Sequence, residues 1–225
     1  MMAIFLCIET STSGCSAALH ENGNLIDLRE IQTPYSAASQ LVVQIEHLFL
    51  ATGISKKSVD AVAVSAGPGS YTGLRIGTAT AKGICFALDR PLITIDSLHV
   101  LASAIRQTPV NTLLCPMIDA RRMEVYCCLL TGMMEIAEDS QARVVDETSF
   151  FLWLAGRSIL YFGNGADKCR SILHGSQATH VQGVTPNASE MGKLTSQKYH
   201  AQQFADVHTF EPNYLKEFVA KTKSA

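Results

Sequence analysis

The string GPGSYTGLRIG, residues 67–77, constrains the fold more than any other part of the chain. It follows VDAVAVSA, an apolar run rich in β-branched residues that is typical of a buried parallel strand. It leads into GLRIGTATAKGICFAL, whose apolar and small residues recur at helical spacing. A sharp strand-to-helix turn through Gly67, Pro68 and Gly69 exposes backbone N–H groups that can bind an anion or let another segment approach closely. Neither a Walker-type Lys-Ser/Thr pair nor Gly-x-Gly-x-x-Gly is present here, so the pattern gives little support for phosphate binding.

The helix that follows the glycine turn carries a second pattern. Ser70 precedes it and is predicted to cap its first turn. Small and apolar residues form a narrow stripe along the helix: Gly73, Gly77, Thr80 and Ile84, with Ala81 beside them. Such a stripe permits close helix packing, either on the preceding helix of the same chain or in a four-helix interface with a partner.

Composition bounds the class of protein. The chain has 225 residues, 47% hydrophobic and 17% charged, with a formal net charge of −2, which fits one large domain or two small lobes. It has no dense Lys/Arg run, so no autonomous nucleic-acid surface is expected, and no apolar stretch is long enough for a membrane helix. Seven cysteines without a Cys-x-x-Cys pair indicate core thiols in a reducing compartment, and we expect a cytoplasmic protein.

The order of predicted elements repeats. Three antiparallel strands, IFLCIE, CSAALH and LIDLREI, open the chain, and a helix from Ser36 to Thr52 follows with Leu41, Ile45, Leu48 and Phe49 on one stripe. LLCPMIDARRMEVYCCLLTGMMEI starts the same layout again. Two βββαβα-like halves are similar to the ribonuclease-H-like fold of actin and sugar kinases. We therefore predict an α/β, two-lobed fold with lobes at 1–109 and 110–225, a reduced second lobe, and a last helix packing back on the first.

Two turns could carry chemistry. Glu9, Thr10, Ser11 and Thr12 form the first hairpin turn, which is either a vestigial phosphate turn or a hydrogen-bonded turn with a half-exposed acid. Asp119, Arg121, Arg122 and Glu124 crowd the second turn. A carboxylate at the start of a second-lobe strand could act as a base in phosphoryl transfer, but a structural Arg121–Glu124 ion pair is favoured.

Metal and protease chemistry are not supported. No two histidines are three or four residues apart, so no helix can offer a histidine pair to a metal. Ser70 lacks the Gly-x-Ser-x-Gly surroundings of a hydrolase nucleophile. We predict no metal site and no catalytic residues in this chain.

Five segments together resemble one family. GPGSYTGLRIGTATAKG, CIETSTSGCSAAL, PMIDARRMEVY, FGNG and EPNYLK are similar to landmarks of the TsaB (YeaZ-type) family, part of the bacterial machinery that makes N6-threonylcarbamoyladenosine in tRNA. The resemblance implies an actin-like (ASKHA) fold and a non-catalytic paralogue of the TsaD-type catalytic subunit. It implies that ATP is used by the complex, with no cofactor required by this chain, and that tRNA is met only through the complex.

The resemblance also implies partners and a docking face. A TsaD-type subunit and a TsaE-type ATPase are the expected partners, and the chain alone is expected to form a homodimer through the same surface. The implied face lies on the helices at about 36–52 and 73–88: Leu41, Ile45, Leu48, Gly73, Arg75, Gly77, Ala81 and Ile84. Arg75 either pairs with a partner carboxylate or holds the glycine turn. Gly67, Pro68, Gly69, Ser70, Asp119, Arg121 and Glu124 are expected to be structural.

Three positions depart from the family pattern. Glu9 stands in place of the usual Asp, Ala37 in place of a common His, and Met123 in place of the common Gly of the second hairpin. The first and third weaken any nucleotide chemistry, and Met123 would strain a tight turn. The alternative function is a stand-alone ATP-dependent small-molecule kinase of the same fold, which would need a glycine-rich adenosine turn of which FGNG is only a fragment.

Overall fold

The first sheet forms around the strand that opens the chain. A computed structural model describes residues 2–31, 37–150, 156–173 and 177–216. Strands β1 (Ile4–Glu9), β2 (Cys15–Glu21) and β3 (Asn24–Ile31) are antiparallel neighbours, as the sequence predicts. Strands β4 (Val59–Ser65) and β5 (Leu92–Ile95) add to the other side of β1 in parallel, giving the order β3-β2-β1-β4-β5.

The second sheet repeats this order. Strands β6 (Thr112–Asp119), β7 (Glu124–Leu130) and β8 (Ile136–Val144) form an antiparallel meander. Strands β9 (Ser158–Phe162) and β10 (Ala178–Val181) continue in parallel from β6. The order β8-β7-β6-β9-β10 matches the first sheet strand for strand, which confirms the repeated pattern and the two-lobed actin-like fold class.

Helices cover both faces of the first sheet. Helices α1 (Ala37–Thr52) and α2 (Tyr71–Leu88) pack on one face, where Leu41, Ile45 and Leu48 join the core with Ile8 and Val62. Short helix α3 (Ser97–Ala102) packs against β6, on the second sheet. Helix α4 (Gly192–His200) lies on the other face of the first sheet, against β1 and β5.

In the parts of the chain that the structure describes, fewer helices pack on the second sheet than on the first. Within the described residues between β8 and β10, the only helical element is a 3-10 turn at Asp167–Cys169. A further 3-10 turn, Ala188–Glu190, precedes α4, and the Asn187 side chain caps it by accepting from the Ser189 N–H at 2.9 Å. The lobe boundary at 109/110 stays a prediction, as does the helix start at Ser36, which lies outside the described residues.

Two further expectations concern the interior and the surface. All seven cysteines are buried, as predicted for thiols that serve as small core residues. No helix in the described ranges is long and apolar enough to cross a membrane.

Candidate functional site

The first hairpin turn is buried. Glu9 at the end of β1 is 2% exposed, and Thr10 and Ser11 are equally enclosed. The Ser11 N–H and hydroxyl each donate to Glu9 Oε1 at 2.5 Å, and the Thr10 N–H donates to Ser65 Oγ at 3.2 Å. The expectation of a half-exposed acid is therefore wrong, because residues 9–11 fold into the interior, whereas Thr12 is half-buried and Ser13 is exposed.

The glycine motif encloses this turn by close backbone contact. A Cβ at Gly69 would lie 2.2 Å from the Ser11 carbonyl oxygen, and one at Gly73 would lie 2.1 Å from the Thr10 carbonyl oxygen. A Cβ at Gly77 would lie 2.2 Å from Thr10 Oγ1. The Ser70 N–H also donates to the Ser11 carbonyl at 2.6 Å. The signature and the first turn are therefore one packed unit, and only glycine fits at these contacts.

The structural roles predicted within the motif are observed. Ser70 caps α2 by accepting from the Gly73 N–H at 3.2 Å. Gly67 has φ +98°, a left-handed conformation that favours glycine, and a Cβ there would lie 2.6 Å from the Asn213 carbonyl oxygen. The Gly67–Pro68 peptide is cis. Gly67 also exchanges hydrogen bonds with Ser97, which ties the turn to the start of α3.

Glu9 is an acid in an unfavourable environment. Burial raises the pKa of its carboxyl group, and the hydrogen bonds from Ser11 and from the Ser65 side chain oppose that rise. Glu9 Oε2 is buried and has no hydrogen-bond partner. Burying an unpaired carboxylate oxygen disfavours the charged form. Burial therefore disfavours the charged carboxylate that a metal ligand or a general base would need.

A cleft of about 320 Å³ lies beside the turn. The cleft is lined by Glu9, Glu30, hydroxyl-bearing residues of the 12–16 segment, Gly183 and residues 185–187. Among the described residues that line this cleft, none is basic. A lining that contains the Glu30 carboxylate and no described basic residue does not attract phosphate groups, so the cleft chemistry does not favour a nucleotide. In the described parts of the chain, no group of three or more His, Cys, Asp or Glu residues is placed to hold a metal.

The second hairpin turn differs from the prediction. Lys168 pairs with Asp119, and Lys216 pairs with Glu124, so the predicted Arg121–Glu124 ion pair is wrong. Asp119 instead organises the turn by accepting from the Arg121 N–H at 3.0 Å. Both lysines lie far along the chain from the turn, which is why local spacing did not reveal them.

The strain expected at Met123 is also absent. The left-handed residues of the turn are Arg121, with φ 69°, and Arg122, with φ 51°. Met123 lies outside the left-handed region, so it does not need the conformational freedom of glycine. The Ala37 side chain lies outside the described part of the structure.

Several residues assigned to the partner face lie inside the chain. Leu41, Ile45 and Leu48 are 0–5% exposed, and they form the core between α1 and the first sheet. Gly77 and Ala81 are buried as well, and Gly73 and Gly77 contact Thr10. The buried residues are covered within the chain, because a regular apolar stripe on a covering helix marks the side that faces its own sheet. Of the set, Arg75 is exposed, and Gly73 and Ile84 are half-buried.

The two helices nevertheless present an outer apolar face, which we call the α1/α2 face. Its large apolar members are Val42, Val43, Leu50 and Phe86, the last 76% exposed. Along the exposed side of α2, the other uncharged residues are Thr72, Ala79, Gly83 and Ala87. The sequence signal for this face is the presence of large apolar residues outside the core stripe. Helical periodicity identifies only the buried side of a helix and does not identify these residues.

Arg75 holds the C-terminal segment of the same chain. Its Cζ lies 4.1 Å from the centre of the Tyr71 ring, and its Nε donates to the Tyr214 hydroxyl at 3.3 Å. The hydrogen bond to Tyr214 raises the pKa of Arg75. Lys82 on the same helix donates to the carbonyls of His208 and Phe210 at 3.2 and 3.0 Å. Neither Lys82 nor Tyr214 was singled out from sequence.

Comparison with known proteins assigns the family. Residues 36–224 match the family model for TsaD, tRNA N6-adenosine threonylcarbamoyltransferase. The chain is 27% identical to the TsaB protein of Bacillus subtilis, covering 97% of this chain and 96% of that protein.

The chain belongs to the TsaD family, as a TsaB/YeaZ-type member.

Two further matches agree with this assignment. The TsaB protein of Haemophilus influenzae is 34% identical over 121 residues, which span 54% of this chain and 51% of that protein. A solved structure from Pseudomonas aeruginosa, described as similar to peptidase YEAZ, superposes with a TM-score of 0.83 at 26% identity and covers 96% of this TsaB-type chain. All of that solved chain is covered.

Proposed function

We propose that this chain is a non-catalytic accessory subunit that supports a TsaD-type catalytic subunit in transferring a threonylcarbamoyl group to adenosine in tRNA. The observation that carries the proposal is the near end-to-end similarity to B. subtilis TsaB, a protein named for tRNA threonylcarbamoyladenosine biosynthesis. We expect the adenosine to be the one next to the anticodon of ANN-decoding tRNAs. Core thiols are typical of a reducing compartment, so we place the subunit in the cytoplasm.

The geometry of the first turn supports a non-catalytic role. A buried Glu9, whose carboxyl pKa is raised by burial, and a neighbouring cleft without a described basic lining residue are poorly suited to a metal-bound nucleotide. We therefore propose that the chain requires no cofactor, and that the ATP consumed by the complex is bound elsewhere. A peptidase function gains no support, because Ser70 is a helix cap whose hydroxyl accepts from a backbone N–H.

The α1/α2 face supports docking to a partner subunit. Val42, Val43, Leu50 and Phe86 expose apolar surface on two helices that cover the same face of the first sheet. Exposed apolar patches of this kind are typical of protein–protein contacts. We propose that the TsaD-type subunit binds here, that a TsaE-type ATPase joins the assembly, and that the chain alone forms a homodimer through the same face.

The test is a reconstitution in which single components are omitted. Threonylcarbamoyladenosine is measured on tRNA with TsaC-, TsaD- and TsaE-type proteins, ATP, and this chain present or absent. We expect modification to require the chain, and the chain alone to show neither tRNA modification nor ATP hydrolysis. Unchanged modification in its absence would contradict the proposal, and ATP hydrolysis by the chain alone would favour the kinase alternative.

A further inference from the structure

Arg75 is held in place on the exposed side of α2 by two tyrosines. Its Cζ lies 4.1 Å from the centre of the Tyr71 ring, and its Nε donates to the Tyr214 hydroxyl at 3.3 Å. The centres of the two tyrosine rings are 5.0 Å apart. The Asn213 N–H donates to the Ala66 carbonyl at 2.7 Å, which anchors the segment that carries Tyr214 beside the end of β4. An arginine restrained in this way loses little side-chain entropy when its remaining donors bind.

The two Nη nitrogens of Arg75 have no hydrogen-bond or ion-pair partner in the part of the chain that the structure describes. The hydrogen bond to Tyr214 and, less strongly, the charge of Glu211 raise the pKa of Arg75, but Glu211 forms no ion pair with it. Arg75 is an exposed residue, and paired guanidinium donors match the two oxygens of a carboxylate. The chain therefore orients a guanidinium fork without supplying its anion.

The contacts of Arg75 bypass the glycine turn. That turn is tied down by the hydrogen bonds between Gly67 and Ser97. Among the described residues, no hydrogen bond or ring contact of Arg75 reaches residues 67–70. Of the two roles considered for Arg75, an ionic contact with a partner is the one that these contacts leave open.

Arg75 shares the exposed side of α2 with apolar and small residues. Residues three or four apart lie on one side of a helix, and exposed residues follow at such steps along α2: Arg75, Ala79, Gly83 and Phe86. Arg75 and Phe86 are about 17 Å apart along the helix axis, within the span of a standard interface of about 800 Å² per partner. A partner that covers this side removes Arg75 from water. Burying a charge is costly unless the partner supplies the opposite charge.

A second copy of the chain is a poor source of that opposite charge. Glu46 is the one acidic residue within α1 and α2, and it already pairs with Lys56. Asp89 directly follows α2, but Arg90 is its neighbour in the chain. A subunit of different sequence is not limited in this way.

We propose that Arg75 is the ionic anchor of the α1/α2 face, that it binds an Asp or Glu carboxylate of the TsaD-type subunit, and that Tyr214 is its positioning residue. The inference rests on the proposed function, because it specifies a contact made on docking. Phe86 supplies the apolar contact towards the other end of α2, and the directional hydrogen bonds of Arg75 fix how the partner lies along the helix. Loss of Arg75 weakens the complex and makes its affinity less sensitive to salt.

Calorimetric titration of the full chain with the TsaD-type subunit, at low and at high salt, tests the contact. Arg75→Met is expected to weaken binding at least about tenfold at low salt and to reduce the affinity lost on adding salt. Arg75→Lys keeps the charge without the fork and should recover part of the affinity. Tyr214→Phe removes only the hydroxyl, so it should weaken binding by about threefold in wild type and have no effect in the Arg75→Met background. Arg157→Met, which replaces an exposed arginine before β9, is the matched control and should bind as wild type does.

Specific results would overturn the inference, with every variant folded by circular dichroism. These are unchanged affinity with Arg75→Met, equal weakening by Tyr214→Phe in both backgrounds, or an Arg75→Met effect on self-association as large as that on binding to the TsaD-type subunit. Phe86→Glu separates the inference from the proposed function. If Phe86→Glu abolishes binding while Arg75→Met leaves it unchanged, docking through the α1/α2 face stands and the ionic anchor is wrong. If neither variant changes binding, the docking face itself is wrong.

Discussion

Replacing Glu9 by Gln should stabilise the protein at high pH and have little effect at low pH. The Glu9 carboxyl is 2% exposed, with Oε1 bonded to Ser11 and Oε2 without a partner, and burial raises its pKa above 4.5. A group whose pKa is higher in the folded state binds its proton more tightly there than in the unfolded chain. The contribution of this bound proton to the free energy of unfolding is therefore complete below the unfolded-state pKa. It is lost as pH rises through the folded-state pKa. Gln keeps the acceptor towards Ser11 and carries no charge at any pH.

The size of the effect follows from the charge alone, because Gln leaves one buried polar atom unpaired just as neutral Glu does. Each unit by which burial raises the pKa corresponds to about 1.4 kcal/mol at a pH above both values. We expect Glu9→Gln to exceed wild type in free energy of unfolding at pH 8 by about 1.4 kcal/mol for each such unit. For a domain of this size, each 1 kcal/mol corresponds to roughly 2–4 °C in melting temperature.

Urea denaturation between pH 4 and pH 8.5 measures this difference. Glu147→Gln, which removes an exposed carboxylate, is the matched control and should track wild type at every pH. The reasoning fails if the difference between Glu9→Gln and wild type is the same across the pH range. It also fails if the variant becomes relatively less stable as pH rises.

Three further predictions concern the motif and the core. Gly77→Ala should lower the free energy of unfolding by about 1–3 kcal/mol, because the added Cβ would overlap Thr10. Gly83→Ala on the same helix meets nothing within 4 Å and should raise it by about 0.5–1 kcal/mol. Equal melting temperatures for the two variants would refute the contact with Thr10. Ser70→Ala should lower the free energy of unfolding by about 0.5–2 kcal/mol through the lost cap, and Ser70→Thr, which keeps a hydroxyl, should lose less. Burial lowers the pKa of His20, so the folded protein should lose stability as pH drops through about 6.5, where the unfolded chain gains a proton. If His20→Gln has the same pH profile of melting temperature as wild type, His20 does not cause this loss.

Local patterns sufficed for much of the fold. Alternating and β-branched runs predicted the two antiparallel meanders, and the glycine string predicted the strand–turn–helix that joins β4 to α2. Ser70 was identified as a cap from its position alone. These features depend on neighbours within a few residues, which is the range that sequence periodicity reports.

Contacts between distant segments were not predictable in the same way. Gly73 and Gly77 were assigned to a partner contact because the sequence shows small residues but not the Thr10 residue against which they pack. Leu41 and Leu48 were assigned outward for a related reason, since periodicity marks an apolar side without saying what covers it. The pairing of Lys168 with Asp119 depends on how β9 and its following turn lie beside β6.

The most direct test of the central claim uses the α1/α2 face. Threonylcarbamoyl transfer to tRNA is measured in the reconstituted system with wild type, with Phe86→Glu, and with Val110→Glu, which changes an exposed valine away from α1 and α2. An accessory subunit that acts by docking predicts full transfer with wild type and Val110→Glu, and at least about tenfold less with Phe86→Glu, the order expected when an interface anchor is lost. Transfer that proceeds equally with Phe86→Glu, folded and at the same concentration, would contradict docking through this face. Transfer that proceeds without the chain at all would contradict the function itself.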